Sequence, residues 1–109
     1  MLFSEFGLPD FLVENIEKLG WDKPTPIQTL VIPKALEGAD ILGGAPTGTG
    51  KSAAFLLPVI ARLSLEKKPG VRAIILEPTR ELALQVENVC QALIEGYNDL
   101  SAGSIIGGE

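Results

Sequence analysis

Residues 45–52 read Ala-Pro-Thr-Gly-Thr-Gly-Lys-Ser and lie between a short apolar run, residues 40–44, and a long stretch of helical periodicity. Glycine at positions 48 and 50 keeps Cβ atoms away from the backbone N–H groups, so such a loop can wrap around an anion at a helix N-terminus. The segment therefore predicts a phosphate-binding loop where a strand turns into a helix. The predicted nucleotide-binding residues of this loop are Ala45, Pro46, Thr47, Gly48, Thr49, Gly50, Lys51 and Ser52.

Lys51 and Ser52 are the candidate catalytic residues of this loop. The Lys51 ammonium is placed to reach the β- and γ-phosphates of a nucleoside triphosphate, and the Ser52 hydroxyl is placed to ligate the Mg²⁺ that bridges them. Ala45 stands where the usual pattern begins with glycine. The alternative is a glycine-rich connection that binds no ligand, and the position of Gly-Lys-Ser between an apolar run and a helix argues against it.

Helical and strand patterns alternate along the rest of the chain. Helices are predicted over residues 9–19, 26–38, 51–65 and 80–95, and strands over 40–44, 71–76 and 102–106. The second helix places Ile27, Leu30, Val31 and Leu36 on its apolar side, and Pro33 is expected to kink or divide it. Strands separated by helices of this length imply right-handed crossovers in a parallel sheet. The predicted fold class is α/β, a parallel sheet with flanking helices in the order α-α-β-α-β-α-β.

Composition limits the possible classes of protein. A chain of 109 residues is sufficient for one domain with a modest core. The net charge of -5 is not the basic balance typical of nucleic-acid binding, so any such contact must come from a few placed groups. No membrane-length apolar run and no targeting signal is present, so we expect a cytoplasmic protein without a membrane partner. The single cysteine, Cys90, is expected to pack at the core or its boundary.

Residues 20–28, Gly-Trp-Asp-Lys-Pro-Thr-Pro-Ile-Gln, closely resemble the Q motif of the DEAD-box RNA helicases. Phe3 stands upstream, where that family keeps an isolated aromatic residue. The resemblance implies that the Gln28 amide pairs with adenine and that Phe3 stacks on the base, and an amide can indeed both donate to and accept from an adenine edge. Trp21, where the family more often has Phe or Tyr, is predicted to belong to the same nucleotide-binding set.

Both Gln28 and Phe3 have structural alternatives. Thr25 and Gln28 also form the pattern of a capping box, in which the Gln28 side chain would bond back to the Thr25 backbone N–H. Phe3 could instead pack on the first helix beside Phe6 and Phe11.

Residues 78–85, Pro-Thr-Arg-Glu-Leu-Ala-Leu-Gln, match motif Ia of the same family, and residues 107–108 look like its GG motif. The resemblance implies RNA-backbone contacts from Pro78, Thr79, Arg80, Gly107 and Gly108, and a guanidinium beside main-chain N–H groups is suited to hold a phosphate. The alternative is a capped helix start with Thr79 as N-cap. Glu77 is unexpected beside such a turn, because a carboxylate repels phosphate.

The four motifs, residues 3–28, 45–52, 78–85 and 107–108, follow the order and spacing of the DEAD-box family. The resemblance implies the N-terminal portion of RecA-like domain 1 of a P-loop NTPase, with ATP and Mg²⁺ as cofactors, RNA as partner and ATP-dependent RNA unwinding as activity. The family's Asp-Glu-Ala-Asp motif does not occur in these residues. We therefore expect the rest of domain 1 and a required second RecA-like domain to lie outside them, and these residues alone to be catalytically incomplete.

Three further expectations concern identity and role. The short segment before the Q motif and the sequence of the phosphate-binding loop are similar to those of bacterial ribosome-assembly members of the family. A P-loop ATPase or nucleotide kinase of another family, with an accidental Q-motif likeness, is one alternative function. A nucleotide-binding decoy module without turnover is the other.

Overall fold

Four α-helices and a 3₁₀ turn make up the regular structure of residues 2–43, 51–66 and 68–105, which are those that the computed structural model describes. The 3₁₀ turn is Phe3–Phe6, and the helices are α1 (Asp10–Lys18), α2 (Pro26–Leu36), α3 (Lys51–Leu65) and α4 (Arg80–Leu93). Each helix begins at, or next to, the residue that the sequence predicts. None of these helices is long and apolar enough to cross a membrane.

Local side-chain and backbone signals determine where the helices begin and end. Thr25 Oγ1 accepts the backbone N–H of Gln28 at 3.4 Å, and Thr79 Oγ1 accepts that of Leu82 at 3.1 Å. These hydroxyls satisfy donors that the first turn of a helix leaves unpaired. Gly38, with φ 92°, stops α2 in the left-handed region that glycine adopts without steric cost.

The core lies where the N-terminal segment and helices α1, α3 and α4 meet, with α2 packed on α3. Its most deeply buried side chains are Leu12, Ile16, Ile32, Leu56, Leu57 and Leu93. Cys90 packs against this cluster from a partly buried position, as predicted, and burial raises the pKa of its thiol.

The predicted apolar side of α2 is confirmed only in part, since Ile27, Val31 and Leu36 are partly buried. Leu30 is 67% exposed, whereas Gln28 and Ile32, one turn apart, are buried. Because α2 is apolar around most of its circumference, its periodicity does not select a face, and packing on α3 makes the choice. The helix continues through Pro33 to Leu36, so the proline does not divide it.

The three predicted strands are not formed in the part of the chain that the structure describes. Residues 40–43, 71–77 and 101–105 have no regular secondary structure, and side chains such as Leu76 and Ile105 are exposed. A parallel strand needs hydrogen-bonded neighbouring strands and helices over both faces of its sheet. In the described residues these segments have neither. The sheet and its strand order stay predictions.

Side chains from distant positions hold the C-terminal ends of α3 and α4. Asn15 Nδ2 donates to the carbonyl oxygens of Leu93 at 2.7 Å and Glu95 at 3.0 Å. The Tyr97 hydroxyl donates to the Ser64 carbonyl at 3.3 Å. These bonds satisfy carbonyls at and just beyond the last helical turns, and they tie the two helices to the rest of the core.

Candidate nucleotide-binding site

A cavity of about 450 Å³ lies where the N-terminal segment, α2, the first turns of α3 and the cavity-facing side of α4 meet. Its volume falls in the range of small-molecule sites. The residues that line it come from the Q motif, the helix that follows the phosphate-binding loop, and motif Ia with its preceding residue. They are Phe3, Trp21, Lys23, Thr25, Gln28, Ser52, Ala53, Phe55, Glu77, Leu82, Gln85, Val86 and Val89.

Gln28 is buried in the wall of this cavity and forms the predicted capping box. Its side-chain oxygen accepts the Thr25 backbone N–H at 3.0 Å, while Thr25 Oγ1 accepts the Gln28 backbone N–H. A carbonyl oxygen has two lone pairs, so the bond from Thr25 and a bond from an adenine amino group are compatible. The cap therefore fixes the orientation of the side-chain amide as well as starting the helix.

Phe3 is almost completely buried and packs as the structural alternative proposed, but with a different partner set. Its ring centroid lies 6.1 Å from that of Phe6 in an edge arrangement and 6.4 Å from that of Trp21. Phe11 instead stacks on Tyr97 with a centroid distance of 4.1 Å. Both Phe3 and the partly buried Trp21 still line the cavity. A flat base entering it would meet an aromatic wall held by packing.

The phosphate-binding loop lies mostly outside the described residues: Ala45–Gly50, with their predicted phosphate contacts, and the side chain of Lys51. Ser52 stands in the first turn of α3 and lines the cavity, as expected of a magnesium ligand that follows such a loop. Mg²⁺ prefers oxygen ligands and is usually held by one or two protein groups together with phosphates and water. The Ser52 hydroxyl and the Glu77 carboxylate fit that donor set.

Motif Ia divides between the outer surface and the cavity. Pro78, Thr79 and Arg80 are exposed at the start of α4, where an approaching backbone phosphate could meet them. The next turn places Leu82, Gln85 and Val86 on the cavity side. The predicted RNA contacts Gly107 and Gly108 lie outside the described residues.

Sequence reasoning missed four polar residues of the cavity, Lys23, Thr25, Glu77 and Gln85. Gln85 follows Leu82 by one helical turn, so its position on the cavity face was detectable once α4 was placed. Lys23 and Glu77 lie in irregular segments, and nothing local indicates which way an irregular segment presents its side chains.

Comparisons with known proteins find relatives over almost the whole chain. The family profile described as DEAD/DEAH box helicase matches residues 25–109. The ATP-dependent RNA helicase DBP10 of Candida albicans is 49% identical over 98% of this chain, and the probable ATP-dependent RNA helicase DDX59 of Mus musculus is 48% identical over 97%. The ATP-dependent RNA helicase CshA of Limosilactobacillus reuteri is 52% identical over 80%. The chain spans 12% of the DBP10 length and 17% of the other two.

Two solved structures follow the same chain path. A DEAD box protein from the hyperthermophile Methanococcus jannaschii superposes with a TM-score of 0.91 at 41% identity, over all of this chain and 30% of that protein. The RNA helicase Prp28 of Chaetomium thermophilum, bound to ADP, gives a TM-score of 0.89 at 43% identity, over 99% of this chain and 27% of that one.

The chain shares its path with part of the RecA-like domains of DEAD-box helicases. It belongs to the DEAD/DEAH box helicase family. The alternative of an unrelated P-loop ATPase or kinase is therefore wrong. The narrower expectation of a bacterial ribosome-assembly member is not supported, because fungal and mammalian helicases align over more of the chain than the bacterial CshA does.

Proposed function

We propose that this chain supplies the adenine-nucleotide site and part of the RNA-contacting surface of an ATP-dependent RNA helicase that unwinds RNA duplexes locally. The observation that carries the proposal is the single cavity shared by Phe3, Trp21, Gln28, Ser52 and motif Ia. The ADP-bound state of the similar Prp28 supports a nucleotide as the occupant.

Each part of the site has a distinct task in this proposal. Gln28 recognises the adenine edge against the aromatic wall of Phe3 and Trp21. Backbone N–H groups of residues 45–50 and the Lys51 ammonium hold the phosphates, and Ser52 would ligate Mg²⁺. Mg²⁺, when bound, neutralises phosphate charge and fixes the phosphate conformation.

RNA binding is assigned to the outer surface of the same region. Pro78, Thr79 and Arg80, at the exposed start of α4, contact the RNA backbone together with Gly107 and Gly108. Since the cavity side of α4 belongs to the nucleotide site, one helix serves both ligands. We place the protein in the cytoplasm on its sequence alone.

Turnover is assigned to the whole helicase. Phosphoryl transfer to water needs a cradle, a metal and a positioned nucleophile. These 109 residues contain no Asp-Glu-Ala-Asp motif to orient the attacking water. A second RecA-like domain completes the site in this proposal, and the chain alone binds nucleotide without hydrolysing it, as the decoy alternative also requires.

Calorimetric titration of the 109-residue chain with Mg²⁺–ADP, compared with the Lys51→Ala variant, tests the proposal. Lys51→Ala removes a charge-assisted contact of roughly 1.5–3 kcal/mol, so we expect affinity to fall about ten- to a hundredfold. Phosphate release from ATP should stay at background with or without RNA. Equal ADP affinity in both proteins would remove the assignment of the loop, and RNA-stimulated release that Lys51→Ala abolishes would show that the chain alone turns over.

A further inference from the structure

We propose that Glu77 is a positioning residue that makes this site select the Mg²⁺ complex of the nucleotide over the metal-free nucleotide. The inference rests on the proposed function and goes beyond it, since Glu77 lies outside the residues assigned to the motifs. It starts from the position of Glu77, directly before motif Ia and in the wall of the cavity.

Glu77 and the residues that follow it face different surroundings. Glu77 is partly buried and lines the cavity, whereas Pro78, Thr79 and Arg80 are exposed. Glu77 therefore borders the proposed nucleotide site, whereas the proposed RNA contacts lie on the outside. This arrangement removes the conflict between a negative charge and an RNA-binding turn, because the two act on different ligands.

Glu77 also shares the cavity with Ser52, which follows the phosphate-binding loop directly. Among the described lining residues, Lys23 is the basic one and Glu77 the acidic one. A carboxylate and a polyphosphate repel each other, and the repulsion is stronger in a partly desolvated cavity than in water. A negative group in such a place weakens nucleotide binding unless a cation comes with the nucleotide.

A divalent cation reverses the sign of this interaction. Mg²⁺ is typically held by one or two protein oxygens, by phosphates and by several water molecules. Glu77 can then accept a hydrogen bond from a metal-bound water or contact the metal itself, and it attracts the complex instead of repelling it. Removing the charge should therefore weaken binding with Mg²⁺ and strengthen binding without it, a pair of opposite changes that loss of folding cannot produce.

The experiment measures ADP affinity of the 109-residue chain by calorimetry, once with excess Mg²⁺ and once with EDTA. The readout is the dissociation constant in EDTA divided by the dissociation constant in Mg²⁺. In Glu77→Gln we expect the ratio to shrink about tenfold relative to the unmodified chain, the difference expected of one charge interaction. Glu77→Asp, which keeps the charge, should keep most of the ratio. Glu87→Gln is the matched control, because it removes the same charge from α4 at a position outside the cavity lining.

Two results would overturn the inference while leaving the nucleotide site intact. Unchanged affinities of Glu77→Gln both with Mg²⁺ and with EDTA would show that the carboxylate does not sense the metal. An equal loss of affinity with and without Mg²⁺ would show that Glu77 orients Lys23 or supports the fold and does not act through the metal. Failure of the unmodified chain to bind ADP under either condition would instead reject the proposed function, and the inference with it.

Discussion

Gln28 caps α2 and, in the proposed function, also recognises adenine. Its carbonyl oxygen and backbone N–H complete the capping box with Thr25, and its side chain is buried in the wall of the nucleotide cavity. The box holds the amide in one orientation before any ligand arrives, which lowers the entropic cost of recognising a base. In the proposed function, capping and base recognition are therefore cooperative uses of one residue.

Selectivity for adenine follows from this geometry. Guanine presents O6 where adenine presents an amino group, so an amide held in one orientation must turn or lose a partner. We expect the 109-residue chain to bind Mg²⁺–ADP about tenfold more tightly than Mg²⁺–GDP, equivalent to roughly 1.4 kcal/mol. Gln28→Met, which has similar volume but no polar end, should remove the difference.

The ratio of the ADP and GDP affinities controls for damage to the fold. General damage to the fold weakens ADP and GDP binding alike, whereas loss of adenine recognition affects the ratio alone. Calorimetry that finds equal ADP and GDP affinity in the unmodified chain would leave Gln28 as a helix cap only.

Helix α4 joins three environments along its length. Its N-terminus is exposed with Thr79 and Arg80, its next turns face the cavity, and its C-terminal end reaches the buried Leu93. The buried side chain of Asn15, on α1, holds this last part through bonds to the Leu93 and Glu95 carbonyls. The position of the cavity wall thus depends on a hydrogen bond between the first and last helices.

We expect Asn15→Ala to be strongly destabilising for this reason. The change leaves the buried Leu93 carbonyl and the part-buried Glu95 carbonyl without their amide partner, and an unsatisfied buried group costs about 1–3 kcal/mol. Urea or thermal unfolding should therefore show a loss of about 2 kcal/mol or more.

Gln91→Ala is the matched control for this prediction. Gln91 Nε2 also donates to a carbonyl, that of Ala102 at 3.2 Å, but at an exposed position where water replaces the lost bond. We expect its effect to stay within about 0.5 kcal/mol, as for most surface changes. Equal effects of the two substitutions would contradict the role given to Asn15.

At the scale of the whole molecule, the irregular segment 71–76 carries apolar side chains that nothing in the described chain covers. Val71, Ile74 and Leu76 are 84%, 78% and 88% exposed in a segment whose sequence is typical of a buried parallel strand. Such segments promote association when they find no sheet to join.

Sedimentation velocity over a wide range of concentrations should therefore show self-association of the 109-residue chain. Replacing Ile74 and Leu76 together by Lys should reduce it, because charge at a strand edge opposes pairing. Leu65→Lys is the control, since Leu65 is 81% exposed at the end of α3 and outside the strand segments. A chain that sediments as a monomer throughout would contradict this prediction.

The helix boundaries and the family could be predicted from the sequence, because the interactions and motifs that determine them are local. Thr25 and Thr79 cap α2 and α4 within three residues, and Gly38 ends α2 through its own backbone freedom. The helix starts could therefore be predicted from neighbouring residues. The motifs likewise predicted the family, since a phosphate-binding loop and a Q motif are contiguous patterns.

Tertiary structure alone decided what depends on residues far apart in the chain. Packing buried Gln28 and Ile32 and left the predicted Leu30 exposed, and the chain path after α3 placed Glu77 in the cavity wall. Strand formation belongs to the same category, because a strand is stable only beside another strand, however apolar its own sequence is. Local patterns determine where a helix begins and which residue caps it. Burial and strand pairing depend on contacts between distant segments, so they are determined only when those segments pack together.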